Sequence, residues 1–338
     1  MQIQTYELPL FDNSISIQPH ELLLDIETTG LSPEVSTVFM IGCGFSKNEK
    51  LHTIHWMADD LTLESEQSVL RSFSEWIHKY LSSQNSLTFI TFNGKQFDIP
   101  FLKSRFEQCS IPWPMILNDD SILIDYYRIA LRTKHLWPVP NLKLHSLASW
   151  LGYKQQKTPS GRQLIKSYHN YIKEKDPAVL NLLFLHNKQD LEALVHITSI
   201  QYYFDVFEGH YDVLSLKYDD THTRISIDMN IEQPLPSTIE FERFGFHILM
   251  SENHVHLDIP VYDQGLRFYY SDYKNYIYLT NEDYALHKSM ATYIDKSQWV
   301  KANTENCYTW FSPDASFFDN HEKQRDYIQM VFRLLGFL

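Results

Sequence analysis

The spacing of apolar residues predicts alternating strands and helices over roughly the first two hundred positions. Leu22-Leu23-Leu24 is a short apolar run that stops at a Thr-Thr-Gly turn, the pattern of a buried strand over 21–27. Residues 38–45 and 51–57 read as two more strands, with Gly42 and Gly44 marking places where backbones approach closely. The connections between these strands predict an antiparallel meander. Residues 63–81 carry Val69, Leu70, Phe73, Trp76, Ile77 and Tyr80 at helical spacing. A fourth strand is expected at 87–92, a helix at 98–106 with Pro100 tolerated in its first turn, and a fifth strand at 122–124. Helices follow at 145–151, ending at Gly152, and at 161–175. Pro177 then opens a long helix, capped by Asp176, that is expected to run to about residue 204. Residues 1–20 read as a lead-in with room for an edge strand. The order predicts an α/β layer fold.

Past Gly209 the period changes to two. Alternations at 224–229, 247–250, 254–259, 266–270 and 276–279 are separated by turn residues, with helices expected at 282–293 and 322–335. The reading is therefore two domains, 1–207 and a β-rich α+β domain over 208–338.

Composition narrows the class. At 338 residues, with 43% hydrophobic and 21% charged residues, the chain has an ordinary globular makeup and ample core. No apolar run reaches the roughly 20 residues that span a bilayer, so no membrane partner is expected. The first residues show no signal-peptide pattern. Three scattered cysteines, Cys43, Cys109 and Cys307, argue against a disulfide scaffold and fit a reducing, cytoplasmic location.

The net charge of −13 is a poor match to a nonspecific nucleic-acid binder until its distribution is considered. Between Tyr126 and Lys173 there are nine basic residues and no acidic one, so the remainder carries −13 − 9 = −22. Aromatics interleave with this stretch at Trp137, Trp150, Tyr153, Tyr168 and Tyr171. Basic side chains neutralise phosphates and rings stack on unpaired bases, which marks Lys143, Lys154 and Arg162 as candidate contacts. The same pattern also describes amphipathic helices with a solvated basic face and an aromatic core.

Three stretches carry candidate chemistry. Asp25 and Glu27 lie two apart on a strand and so share a face. Like charges kept side by side at a strand end are usually neutralised by a cation, the alternative being an ordinary exposed strand end before the Thr-Thr-Gly turn. Asn93-Gly94 turns the fourth strand into a helix at Asp98, which is either a site residue or an N-cap worth about 1 kcal/mol. His186 and Asp190 lie four apart on one helix face, either converging on a site or solvated. Asp125 reads as a helix cap or an arginine contact.

Asp25-x-Glu27-Thr28-Thr29-Gly30-Leu31, then Asn93-Gly94-x-x-Phe97-Asp98, then His186-x-x-x-Asp190 together resemble the DEDD exonuclease superfamily. Leu142-Lys143-Leu144-His145-Ser146-Leu147 and Tyr168-His169-Asn170-Tyr171 look like the YprB-type ribonuclease H-like family, over roughly residues 20–205. The resemblance implies a ribonuclease H-like mixed five-stranded sheet flanked by helices. It assigns two divalent ions, Mg²⁺ or Mn²⁺, to Asp25, Glu27, Asp98 and Asp190. Four carboxylates suit such hard cations, and paired ions can promote in-line phosphoryl displacement. Thr28, Leu31 and Asn93 match positions that touch the terminal nucleotide. His186 falls where one subclass carries tyrosine, while the histidine subclass has its base one residue earlier, here Leu185. His186 is thus the candidate general base at an unusual spacing. The implied activity is 3′→5′ hydrolysis of single-stranded or frayed DNA or RNA. The alternatives are a weakly catalytic nucleic-acid-binding module, or a scaffold whose second domain recruits a protein partner.

Overall fold

A computed structural model describes residues 1–9, 17–82, 86–156 and 161–338 of the chain. It falls into two compact units, Met1–Ser199 and Ile200–Leu338. The first unit contains β1 (Gln2–Pro9), β2 (Glu21–Thr28), β3 (Val38–Lys47), β4 (Lys50–Met57), α1 (Leu63–Leu81), β5 (Thr88–Thr91), α2 (Asp98–Gln108), β6 (Leu123–Asp125), α3 (Tyr126–Arg132), α4 (Leu144–Trp150), α5 (Gly161–Glu174) and α6 (Pro177–Thr198). Its strands form one mixed sheet in the order β1-β4-β3-β2-β5-β6. The meander β2-β3-β4 is antiparallel, and β5 and β6 run parallel to β2. The expected five strands are all present. The sixth, β1, comes from the lead-in and pairs with β4 along the edge, Gln2 opposite Met57 through Pro9 opposite Lys50.

β2 lies inside the sheet, which explains its unbroken apolar run: Leu22, Leu23 and Leu24 are all buried. Leu22, Leu24 and Ile26 join Phe39, Ile41, Phe73, Phe89 and Phe106 in one core. α1 starts at Thr62, whose hydroxyl accepts from Ser65 N, and buries Val69, Leu70, Phe73 and Ile77. α6 is capped by Asp176, which accepts from Ala178 N at 2.8 Å. This helix is shorter than its sequence pattern suggests. It ends at Thr198, where Thr198 and Ser199 turn their hydroxyls onto the carbonyls of Val195 and His196 at 2.7 and 2.6 Å. Hydroxyls that bond the preceding turn compete with its ladder. The residues expected to continue the helix form a separate one, α7 (Ile200–Phe207), and the first unit closes at Ser199 rather than at 207.

The second unit continues with β7 (Asp212–Tyr218), β8 (Arg224–Arg243), β9 (Phe246–Pro260), β10 (Leu266–Tyr269), β11 (Tyr276–Leu279), β12 (Tyr284–His287), β13 (Trp299–Lys301), β14 (Tyr308–Phe311), α8 (Ala315–Phe318) and α9 (His321–Leu335). β7-β8-β9 is an antiparallel sheet. The helix expected at 282–293 is instead β12 followed by a 3₁₀ turn. Asp283 sits at φ +57°, and its carboxylate accepts from the hydroxyls of Tyr278 and Tyr308. That turn folds Tyr284–His287 back onto β11, a pairing between residues close in sequence that outweighs a weak helical pattern. No helix among the described residues is long and apolar enough to cross a membrane.

Candidate active site

Strand period and sheet position place the first two carboxylates. Asp25 and Glu27 share one face of β2, and α6 packs over this part of the sheet. Asp98 is the first residue of α2 and does not cap it; its Oδ1 accepts from Ile26 N at 3.2 Å, between the two β2 carboxylates. Asp190 arrives from α6 together with His186 one turn earlier. His186 Nε2 is 3.4 Å from Asp190 Oδ2 and 3.5 Å from Glu27 Oε1. The structure therefore brings together Asp25, Glu27, Asp98, His186 and Asp190 from three elements.

The electrostatics are those of like charges forced together away from water. Burial first, then the charges of Asp190, Glu27 and Asp98, hold the Asp25 carboxyl well above the usual range. Burial, Asp190 and Asp98 do the same to Glu27. Asp98 is pushed up to about 7, mainly by burial and then by Asp125 and Asp190. Burial lowers the His186 imidazole, opposed by Asp190. Among the described residues, the only ion pairs of these four carboxylates are with His145 and His186. No described lysine or arginine neutralises them. The donor set is hard, anionic and short of positive charge, so it fits divalent cations.

Several contributors escaped the sequence reading. His145, in the first turn of α4, brings Nε2 within 2.5 Å of Asp190 Oδ1. It lies in the motif Leu142–Leu147, which was its only signal. Asn187, fully buried, donates from Nδ2 to Asp25 Oδ2 at 2.6 Å and accepts at Oδ1 from His55 Nδ1 at 2.7 Å. His55 Nε2 in turn meets Thr53 Oγ1 at 2.9 Å. Burial lowers His55 to about 4, so near neutrality the ring is uncharged and carries one proton, on Nδ1. Gly42 makes room for this chain: a Cβ there would stand 2.1 Å from Asn187 Oδ1. Asp125 caps α3 as expected, accepting from Tyr127 N at 3.1 Å. It also holds the turn before Asp98, accepting from Asn93 N at 2.8 Å and Lys95 N at 3.1 Å. Asn93 itself sits at φ +71°, a conformation that asparagine tolerates.

The other candidate contacts are distributed around this centre. Thr28 is buried and spends its hydroxyl on Gly30 O at 2.7 Å. Leu31, 86% exposed, projects from the β2–β3 loop. That loop is braced from below: Arg105 donates to Pro33 O at 3.0 Å while paired with the buried Glu66. Lys143, Lys154 and Arg162 are exposed. Lys157 lies outside the described residues, and the other eight cations of the basic stretch all face solvent. Its aromatics do not: Trp137, Tyr153, Tyr168 and Tyr171 are buried, and Tyr168 stacks on Phe39 at 4.1 Å. These four rings belong to the core, so stacking on bases is not their role.

A model of the RNase H superfamily matches residues 22–202. Among solved structures, the chain is similar to a family B DNA polymerase from the archaeon Pyrobaculum calidifontis, with 16% identity, a TM-score of 0.42, and coverage of 55% of this chain and 25% of that one. It is similar to the zinc-bound E. coli ExoI–ssDNA complex at 17% identity and TM-score 0.31, covering 63% and 54%. A moderately thermophilic Exonuclease I from Methylocaldum szegediense shares 12% identity at TM-score 0.31, covering 61% and 53%. The chain thus spans a quarter to about half the length of these proteins. No curated protein matches it.

Proposed function

Because the chain belongs to the RNase H superfamily, we propose that its first unit is a divalent-metal-dependent nuclease, acting as a 3′→5′ exonuclease on single-stranded or frayed DNA or RNA. One observation carries this reading: Asp25, Glu27, Asp98 and Asp190 converge, the first two half-buried and the last two buried, with no lysine or arginine partner among the described residues. Such an arrangement costs stability unless something cationic occupies it.

Mg²⁺ or Mn²⁺ held by these four carboxylates would supply charge neutralisation at the phosphodiester and activation of water. The remaining work belongs to the chain. The Thr53–His55–Asn187 relay fixes the Asp25 carboxylate from behind, and Ile26 N fixes Asp98. Asp125 fixes the Asn93 turn that delivers Asp98. Leu31, on its braced loop, offers a rigid apolar surface to a terminal base, alongside Thr28 and Asn93. Lys143, Lys154 and Arg162 present cations to the phosphates of the strand.

The test is incubation of pure protein with 5′-labelled single strands of DNA and RNA in Mg²⁺, Mn²⁺ or EDTA. Stepwise shortening that EDTA abolishes is the expected result. Retention of strands without any cleavage would make the unit a binding module.

A further inference from the structure

His186 faces two carboxylates with a nitrogen donor, and an all-oxygen magnesium site has no need of one. One ligand atom each from Glu27, His186 and Asp190 lies within 4.8 Å of the others. The distances from Nε2, 3.5 Å to Glu27 and 3.4 Å to Asp190, are long for hydrogen bonds. They suit donors around one small cation: metal–ligand bonds of about 2.0–2.1 Å in tetrahedral array set neighbouring donors about 3.3–3.4 Å apart. His145 contacts the other oxygen of Asp190, the place of a group that orients a ligating carboxylate.

We propose that the cation between Glu27 and Asp190 takes His186 Nε2 as a direct ligand, with His145 positioning Asp190, so that this position prefers a transition ion over Mg²⁺. Imidazole suits Fe²⁺, Ni²⁺ and Zn²⁺ far better than Mg²⁺, and affinity for a site with a nitrogen donor rises from Mn²⁺, the weakest of the first-row ions, through Fe²⁺, Co²⁺ and Ni²⁺ to Cu²⁺, with Zn²⁺ below Cu²⁺. The assignment rests on the nuclease reading and changes the part given to His186, from a base to a ligand. It also accounts for the spacing of this histidine. A group at this position need not reach the substrate if its task is to hold an ion between two carboxylates of its own fold.

Pulsed electron paramagnetic resonance of Mn²⁺ bound to the full chain reads the bond directly. The wild type should show nitrogen-14 modulation from a bound imidazole, and His186→Ala should lose it. The chain has 16 histidines, so the difference between the two spectra is what counts. Calorimetric titration should find Mn²⁺ affinity about 10-fold or more weaker in His186→Ala, with Mg²⁺ affinity unchanged. His186→Asn supplies an oxygen of similar reach and serves if the alanine variant unfolds; it should bind Mg²⁺ and still lack the nitrogen signal. Wild-type Mn²⁺ without nitrogen modulation, or modulation that survives in both variants, overturns the ligand role and leaves the nuclease reading standing. Failure of the wild type to bind either ion sinks both.

Discussion

Each unit holds a cluster of histidines among carboxylates, and the two clusters have opposite electrostatics. On the β8–β9 face opposite the buried Ile225, Ile227 and Met229, Asp228, Asp258 and Glu240 each have an imidazole partner. His256 reaches Asp228 at 2.8 Å and Asp258 at 3.1 Å, His254 reaches Asp228 at 3.4 Å, and His247 reaches Glu240 at 3.0 Å. The hydrogen bond from His256 holds Asp228 below the usual carboxylate range, and its side chain keeps 26% of its exposure. In the first unit, burial and mutual repulsion drive Asp25, Glu27 and Asp98 the other way. The same residue types thus give a satisfied surface ladder in one unit and an unsatisfied buried centre in the other. Histidine and aspartate content therefore does not identify a catalytic site. Carboxylates crowded together out of water, with no fixed cation, mark a candidate for one.

The sharpest way to break this contrast is to remove one charge from each cluster. Asp25→Asn should slow hydrolysis of a labelled strand by about 10³-fold, the scale of losing one preorganised electrostatic element in a closed site. Asp228→Asn should leave the rate unchanged, since a half-exposed pair contributes little. Equal rates in all three proteins would erase the distinction. His186→Ala should slow cleavage by about 10²-fold, the upper end of the loss that follows when a metal site's support is removed, and His254→Ala not at all. Asn187→Ala keeps all four carboxylates but cuts the link from His55 to Asp25. A loss of about 10-fold in rate is expected, as for removal of an outer partner of a ligating group. Reversing Lys143, Lys154 and Arg162 to Glu should weaken single-strand affinity and flatten its salt dependence, by up to about 0.7 in slope for each phosphate no longer neutralised. An unchanged salt slope would move the binding face elsewhere.

The smallest effect is on stability, and its sign is specific. Asp98 titrates near 7 in the fold and about 3.9 unfolded, so between those values the folded state holds the extra proton. The metal-free protein should therefore lose stability as pH rises from about 4 to 7, opposite to an ordinary salt-bridged aspartate. Melting curves of the EDTA-treated protein at pH 5.5 and 7.5, beside Asp98→Asn, check this; the variant should lose part of that slope. Wild-type and variant slopes that coincide would mean that Asp98 is not strained.

Much of the centre was legible because its geometry is local. Asp25 and Glu27 share a strand face by period two, and His186 and Asp190 share a helix face by period four. Asp98 follows a turn that Asn93-Gly94 announces. Contacts made only by packing were not legible. His55 lies 132 residues from Asn187, and nothing in either neighbourhood pairs them. Asn187 stands beside His186 in sequence, yet only the seating of α6 over β2 and β3 turns it onto Asp25. The aromatics of the basic stretch misled for a related reason. Rings between lysines read equally as a stacking platform or as the buried side of amphipathic helices, and Tyr168 against Phe39 shows the second. The strand at Tyr284–His287 depended on a turn whose tyrosine partners lie partly 25 residues away.

Crystals soaked in Mn²⁺ offer the most direct test, because both clusters are then seen in one anomalous map. The account predicts peaks among Asp25, Glu27, Asp98 and Asp190, one of them against His186, and none along Asp228, His256 and Asp258. Peaks on the β8–β9 ladder with an empty carboxylate centre would contradict it.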